Sequence, residues 1–184
     1  MPYFIIPGFH NSGPEHWQTY WEKSLTGARR LEQRDWEHPD FKEWSASLEI
    51  AARKFTAPTI LIAHSLGVSL TVHYLTEHND LKNVAGALLV APADVDSPER
   101  TPDALRSFAP MPLAALPVPA LVAASENDPF VTLPRAMFFA AHWKASCFNV
   151  GALGHINADS RLGDWPAGRQ MLKSLEMRIA RRPH

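Results

Sequence analysis

The chain alternates between short apolar runs and longer segments in which apolar residues recur every three or four positions. Several short runs are continuous rather than alternating, which is typical of β-strands covered on both faces. Six runs predict strands: YFII from Tyr3, ARRLEQ from Ala28, TILIA from Thr59, GALLVA from Gly86, ALVAA from Ala120 and SCFNV from Ser146. The run from Ala28 is polar, so we expect it at an edge of the sheet.

Segments between and after these strands carry helical spacing: PEHWQTYWEKSL, DFKEWSASLEIAARKF, GVSLTVHYLTEH, PFVTLPRAMFFAAHW and WPAGRQMLKSLEMRIARR. Pro14 suits the first turn of the first helix, and Asp40 with Glu43 suits the start of the second. Strands that alternate with helices predict one α/β domain over residues 1–184, a three-layer sandwich around a mostly parallel sheet. The proline-rich connection 91–119 is long, and such connections often border a ligand site.

Composition and charge limit the classes of function and partner that we expect for this protein. The formal net charge is -1, which gives no electrostatic reason to expect nucleic acid or an anionic membrane as partner. No run approaches the roughly 18 apolar residues that a membrane span needs. The N-terminus lacks the basic region of a signal peptide, and Cys147 is the single cysteine, so no internal disulfide forms. We expect a cytoplasmic enzyme or binding protein, with the basic stretch Arg178–Arg182 as the solvated end of the last helix.

The stretch LIAHSLG from Leu61 runs from a buried strand through Ser65 directly into a helix. Small residues two positions before and after the serine, Ala63 and Gly67, are what a nucleophile elbow requires. Larger side chains there would collide with the neighbouring strand and helix. A serine that merely caps a helix gives a similar pentapeptide, but the strand–serine–helix setting favours a nucleophile.

A serine hydroxyl needs a base, usually a histidine that a carboxylate orients, and the chain order in this architecture is Ser, acid, His. Asp128 follows the fifth strand and His155 follows the sixth, at the edge where catalytic groups of parallel sheets gather. We predict Ser65 as nucleophile, His155 as base and Asp128 as its partner. Asp94 and Asp96, after the fourth strand, are the alternative acids. A strand order of 2-1-3-4-5-6 favours Asp128, because its strand neighbours that of His155.

An acyl-transfer site also needs two backbone N–H groups that face the developing oxyanion. We predict Leu66, the residue after the nucleophile, as one donor. The second comes from the loop after the first strand, with Phe9 as our choice and His10 as the alternative. We also predict that His10, Trp17 and Trp36 line the substrate pocket, although core packing is the alternative for both tryptophans.

The nine histidines do not show the paired spacing of H-E-x-x-H, and no C-x-x-C is present. No glycine-rich phosphate loop follows a strand. We therefore predict no metal site and no cofactor.

Six stretches resemble the small α/β-hydrolases of the retinoblastoma-binding-protein-9-like (YdeN-like) serine hydrolase family: IIPGFHNSGPEHWQTYWE, QRDWEHPDFKEW, LIAHSLG, LVAPADVD, LVAASENDPFV and GHINADSRLGDWP. They cover nearly the whole chain. The resemblance implies a compact α/β-hydrolase fold without a separate lid domain and a triad at Ser65, Asp128 and His155. Arg161 stands where the family pattern has glycine, and Ala63 replaces the first glycine of the elbow.

Two functions from different classes remain open. The first is a serine hydrolase that cleaves a small or medium carboxylic ester, thioester or amide through an acyl-enzyme, with that small molecule as its partner. The second is a protein-interaction module on a hydrolase fold, with vestigial or secondary catalysis. A complete triad favours the hydrolase.

Overall fold

A six-stranded sheet forms the middle layer of the fold in the computed structural model, which describes residues 1–78, 81 and 83–181. The strands are β1 Tyr3–Ile6, β2 Ala28–Arg30, β3 Thr59–His64, β4 Val84–Val90, β5 Ala120–Ala124 and β6 Ser146–Asn149. Their order is β2-β1-β3-β4-β5-β6, which confirms the predicted order. Every neighbouring pair is parallel. The polar run from Ala28 does form an edge strand, but it pairs over three residues only.

Among the described residues, five α-helices cover the two faces of the sheet: α1 Trp17–Ser24, α2 Phe41–Ala52, α3 Leu66–Glu77, α4 Leu133–His142 and α5 Pro166–Ala180. In the same part of the chain, two 3₁₀ helices, Asp103–Phe108 and Ala158–Ser160, lie in the connections. The basic stretch at the end of α5 extends to Arg182, which lies outside the described residues. No helix over the described ranges is long and apolar enough to cross a membrane.

Different kinds of side chain cap the N-termini of α1 and α2. Asp40 caps α2 as predicted, and its side chain accepts the N–H of Glu43. The prediction for Pro14 is wrong, because α1 begins three residues later at Trp17. The imidazole Nδ1 of His16 takes the capping role there and accepts the N–H of Gln18.

Alternate residues of the central strands face two separate cores, one on each side of the sheet. Leu61 and Ala63 of β3 join the core under α2, α3 and α4, while Ile60 and Ile62 join the core under α1 and α5. All six residues of β3 are buried, as expected for a strand covered on both faces. The loops at the carboxyl ends of β1, β3, β5 and β6 therefore meet at one rigidly supported edge.

Candidate active site

The turn between β3 and α3 places Ser65 at this edge of the sheet. Ser65 has φ 56° and ψ −124°, a strained conformation for a residue with a side chain, and its N–H donates to the carbonyl of Val90 at 3.0 Å. A Cβ on Gly67 would lie 2.5 Å from the carbonyl oxygens of both Ile6 and Pro7. Only glycine therefore lets the start of α3 approach the end of β1 this closely.

Ser65, His155 and Asp128 are brought together at the carboxyl edge. His155 Nε2 lies 2.8 Å from Ser65 Oγ, and His155 Nδ1 lies 2.9 Å from each carboxylate oxygen of Asp128. Because a carboxylate only accepts hydrogen bonds, Nδ1 carries the proton and Nε2 is left to accept from the serine hydroxyl. All three residues are at most 9% exposed, so the chain of hydrogen bonds is shielded from water.

The backbone after β5 aims the carboxylate of Asp128. Its Oδ1 also accepts the N–H of Phe130 at 2.9 Å, which fixes the side chain in a local turn. The helix that follows begins only at Leu133, with Thr132 as its N-cap. The helix predicted over PFVTLPRAMFFAAHW, which starts at Pro129, therefore begins four residues later than its pattern indicates.

Two side chains tie the loop of Asp128 to the loop of His155. Asn127 Oδ1 accepts the N–H of Gly154 at 2.7 Å, and Ser125 Oγ accepts the N–H of Leu153 at 2.9 Å. These bonds fix the distance between the two loops. The sequence analysis missed both residues, although they stand on either side of Glu126 in the stretch that contains Asp128.

The alternative acids point elsewhere. Asp94 accepts two hydrogen bonds from Arg135, at 3.1 and 3.3 Å. Asp96 binds the same guanidinium at 2.9 Å and the N–H of Met111 at 2.9 Å. Both carboxylates therefore anchor α4 and the connection after β4, and neither orients His155.

The backbone N–H groups near Ser65 differ in their availability. Leu66 is the first residue of α3, so its N–H has no acceptor within the helix. The N–H of Phe9 has no acceptor among the residues that the structure describes. The N–H of His10 already donates to the carbonyl of Trp36 at 3.2 Å. Of the two loop residues, Phe9 is therefore the one with a free donor.

Gly8 allows the loop after β1 to lie directly against the elbow. A Cβ at this position would come within 2.8 Å of the Cβ of Ser65, 2.9 Å of the carbonyl oxygen of His64 and 3.1 Å of the nitrogen of Leu66. Real contacts of this kind are longer, so any larger residue would push the loop away. The position of the Phe9 N–H thus depends on Gly8.

A row of three imidazoles extends from His155 into the protein. His64 Nε2 donates to the backbone carbonyl of His155 at 2.8 Å, and the ring centroids of His16 and His64 are 4.7 Å apart. Burial lowers the pKa of His16 to about 3, with smaller contributions from Arg30 and His155. Burial also holds the pKa of His64 well below its usual range. Both rings are therefore neutral near pH 7.

A cavity of about 380 Å³, called the inner cavity below, opens in front of Ser65. Six of its wall residues are apolar: Phe9, Ala93, Pro102, Leu105, Phe130 and Ala158. Three of them belong to the connection 91–119 or its 3₁₀ helix, so this long segment does border the candidate site. His10 also lines the inner cavity, and its Nδ1 lies 2.8 Å from the carboxylate of Glu37; its role in substrate binding stays a prediction.

The tryptophans predicted to line a pocket do not reach this cavity. Trp17 is 1% exposed, donates its indole N–H to the carbonyl of Ile156 at 2.8 Å and packs against Trp165 on the α1–α5 side of the sheet. Trp36 packs edge-on against Trp44. Core packing, the alternative for both, is what the structure contains.

The inner cavity also has wall residues that were not predicted as site residues. The ring of Phe130 meets that of His155 edge-on, with centroids 4.6 Å apart. Phe130 stands two residues after Asp128, and this nearness in sequence was the signal that could have identified it as a site residue. Pro102 and Leu105 lie in the long connection that was expected to border a ligand site, but its lack of a periodic pattern gave no signal for these two residues in particular.

Arg161 closes the turn that follows His155. It has φ 51° and ψ 41°, a left-handed conformation that costs a residue with a Cβ roughly 1–2 kcal/mol. This backbone geometry explains why the family pattern has glycine there. The turn is held nevertheless, because Asn157 and Ser160 cap each other's backbone N–H groups.

Within the described part of the chain, no three His, Cys, Asp or Glu side chains are grouped as ligands for a metal ion.

The family profile for serine hydrolases matches residues 3–174. The solved structure of a YdeN-like hydrolase from Pectobacterium atrosepticum is 31% identical, covers 97% of this chain and 91% of its own, and superposes with a TM-score of 0.86. The ydeN gene product of B. subtilis is 22% identical, with coverages of 96% and 98% and a TM-score of 0.78.

Est1E from Butyrivibrio proteoclasticus, in a structure with ferulic acid bound, is 15% identical, with coverages of 96% and 90% and a TM-score of 0.72. Similarity at this level of identity shows the fold alone. No curated protein sequence matches the chain. The profile match over most of the chain and the 31% identity to the Pectobacterium protein together identify this chain as a member of the serine hydrolase family.

Proposed function

We propose that this protein hydrolyses a small or medium carboxylic ester, thioester or amide through an acyl-enzyme on Ser65. The observation that carries the proposal is the pair of contacts made by His155, 2.8 Å to Ser65 Oγ and 2.9 Å to the carboxylate of Asp128. This geometry matches the hydrogen bonds that a nucleophile, its base and the orienting carboxylate require.

In the first half of the reaction, Ser65 Oγ attacks the carbonyl carbon while His155 Nε2 takes the hydroxyl proton. The carbonyl oxygen becomes an oxyanion, which the N–H groups of Leu66 and Phe9 stabilise. The tetrahedral intermediate then collapses: the bond to the leaving group breaks, and His155 returns the proton to the departing atom. Asp128 stabilises the imidazolium during both steps.

In the second half, water attacks the acyl carbon of the ester formed on Ser65, and His155 accepts a proton from that water. Collapse of the second intermediate releases the carboxylic acid and returns the proton to Ser65 Oγ. The apolar wall of the inner cavity, which includes Leu105 and Phe130, supports an acyl group of modest size.

Labelling with a fluorophosphonate probe tests the nucleophile, because the probe phosphonylates an activated serine. We expect stoichiometric labelling of wild-type protein, located on Ser65 by mass spectrometry, and none in a folded Ser65→Ala variant. A panel of p-nitrophenyl esters of graded acyl length, with aminoacyl amides beside it, then gives the acyl preference. A folded wild-type protein that neither labels nor turns over any of these substrates would favour an interaction module instead.

A further inference from the structure

A second cleft adjoins the inner cavity at His155. This outer cleft has a volume of about 580 Å³, and Pro129, Leu153 and Asp159 are among its lining residues. It shares Phe130, His155 and Asn157 with the inner cavity, but Ser65 and Phe9 line the inner cavity alone. His155 therefore belongs to the wall common to both spaces.

We propose that the outer cleft binds the leaving group of the substrate and favours leaving groups that carry a positive charge. This inference rests on the function proposed above. The departing atom receives its proton from His155 Nε2, so it must lie within hydrogen-bond distance of that atom. A substrate with its carbonyl at Ser65 and its acyl chain in the inner cavity extends its leaving group past His155 into the outer cleft.

The two spaces differ in charge. The lining of the inner cavity contains no Asp, Glu, Lys or Arg, which suits a neutral acyl group. The lining of the outer cleft contains one such residue, Asp159, and no Lys or Arg. Within the described residues, the carboxylate of Asp159 forms no ion pair.

The backbone holds Asp159 at the cleft. Its N–H donates to Oδ1 of Asn157 at 3.1 Å, within the 3₁₀ helix Ala158–Ser160. The backbone that carries this exposed carboxylate is therefore fixed two residues beyond Asn157, which lines both spaces. A cation in the outer cleft would pair with an exposed carboxylate, and such pairs change affinity by up to about fivefold.

A matched pair of esters tests the proposal: the choline ester and the 3,3-dimethylbutyl ester of one acyl group. These leaving groups have nearly the same shape and differ in charge. The ratio of their kcat/KM values is measured for wild type, Asp159→Asn and Glu32→Gln. Comparing ratios between variants cancels the intrinsic difference in reactivity. Glu32 is an exposed carboxylate beside the opposite edge strand, so the control removes the same charge far from the cleft.

We expect the preference for the choline ester to fall about two- to fivefold in Asp159→Asn and to be unchanged in Glu32→Gln. The difference should shrink as salt screens the pair. An unchanged ratio in Asp159→Asn would overturn the inference and leave the hydrolase in place. The same variant is assayed on the p-nitrophenyl esters of graded acyl length, and a changed acyl-length preference in Asp159→Asn would also overturn the inference, since the outer cleft would then hold the acyl group. Absence of both turnover and Ser65 labelling in wild type would overturn the proposed function itself.

Discussion

The imidazole of His64 holds the backbone of His155: its Nε2–H donates to the carbonyl oxygen of His155 across 2.8 Å. Both residues are more than nine-tenths buried. His64, the residue before Ser65, therefore fixes the main chain of His155, whose side chain is hydrogen-bonded to Ser65. Because His64 is bonded to Ser65 in the chain and hydrogen-bonded to the backbone of His155, it keeps the side chains of Ser65 and His155 in a fixed relative position.

Replacing His64 by leucine should leave the carbonyl of His155 buried without a donor. The expected loss is about 1–3 kcal/mol in the free energy of unfolding, measured by urea titration, together with a fall in kcat. His64→Gln is the matched variant, because its side-chain amide nitrogen reaches about as far as Nε2. It should recover part of both losses. If the leucine variant were as stable and as active as wild type, the bond would have no role in positioning His155.

Gly8→Ala should lower kcat by a larger factor than it changes KM. The added Cβ meets atoms of Ser65, His64 and Leu66 at 2.8–3.1 Å, so the loop must move and the Phe9 N–H moves with it. Loss of one oxyanion donor typically costs 10²–10³ in kcat, and we expect a drop of up to about that size. Gly13→Ala is the control in the same loop, since a Cβ there meets no atom within 4 Å. Equal kcat values for the two variants would contradict the assignment of Phe9.

Asp128→Asn and Asp94→Asn should separate chemistry from stability. The first variant permits the wrong imidazole tautomer of His155, and we expect up to roughly 10⁴ loss in kcat with the fold retained. The second weakens the paired hydrogen bonds to Arg135, and we expect it to lower stability by about 1–3 kcal/mol with less than tenfold change in kcat. Kinetics and urea unfolding of both variants decide between the two carboxylates. A large kinetic loss at Asp94 with little at Asp128 would reverse the assignment.

The sequence predicted the sheet well because its central strands are continuous apolar runs with few alternative interpretations. ALVAA and the ILIA that follows Thr59 have no polar position that would suit a solvent-facing surface, so they had to be central strands. Strand order and chain order together then predicted that the loops carrying Ser65, Asp128 and His155 would meet. Their proximity is observed, and their catalytic roles stay predictions.

Sequence patterns could not predict the features that side-chain packing determines. Trp17 has the same helical spacing whether its ring faces a cavity or the core, and only the fold shows that it packs against Trp165. Pro14 is compatible with a first turn, but His16 supplies the cap two residues after it. The connection around Leu105 was expected to border a ligand site, but Leu105 itself could not be predicted as a wall residue, because the connection has no periodic pattern.

Stability should fall in mild acid because His16 is neutral in the folded state. Its pKa is lowered from 6.5 to about 3 by burial, so between these values the unfolded chain binds a proton that the folded chain does not. The stabilising contribution is fully present above about pH 6.5 and is lost progressively as the pH falls towards about 3. One such group costs about 2 kcal/mol between pH 7 and pH 5. The buried His64, whose pKa is also lowered, adds a loss of the same sign.

His16→Asn isolates the contribution of His16. The asparagine oxygen takes the place of Nδ1 and can still accept the N–H of Gln18 that caps α1, so the helix start is preserved. Urea unfolding of wild type and variant at pH 7 and pH 5 gives the difference in pH dependence. We expect the variant to lose about 2 kcal/mol less than wild type over this range, since asparagine does not titrate. If both proteins lost the same amount, His16 would take up its proton in the folded state as readily as in the unfolded chain, and its burial beside His64 would carry no penalty for charge.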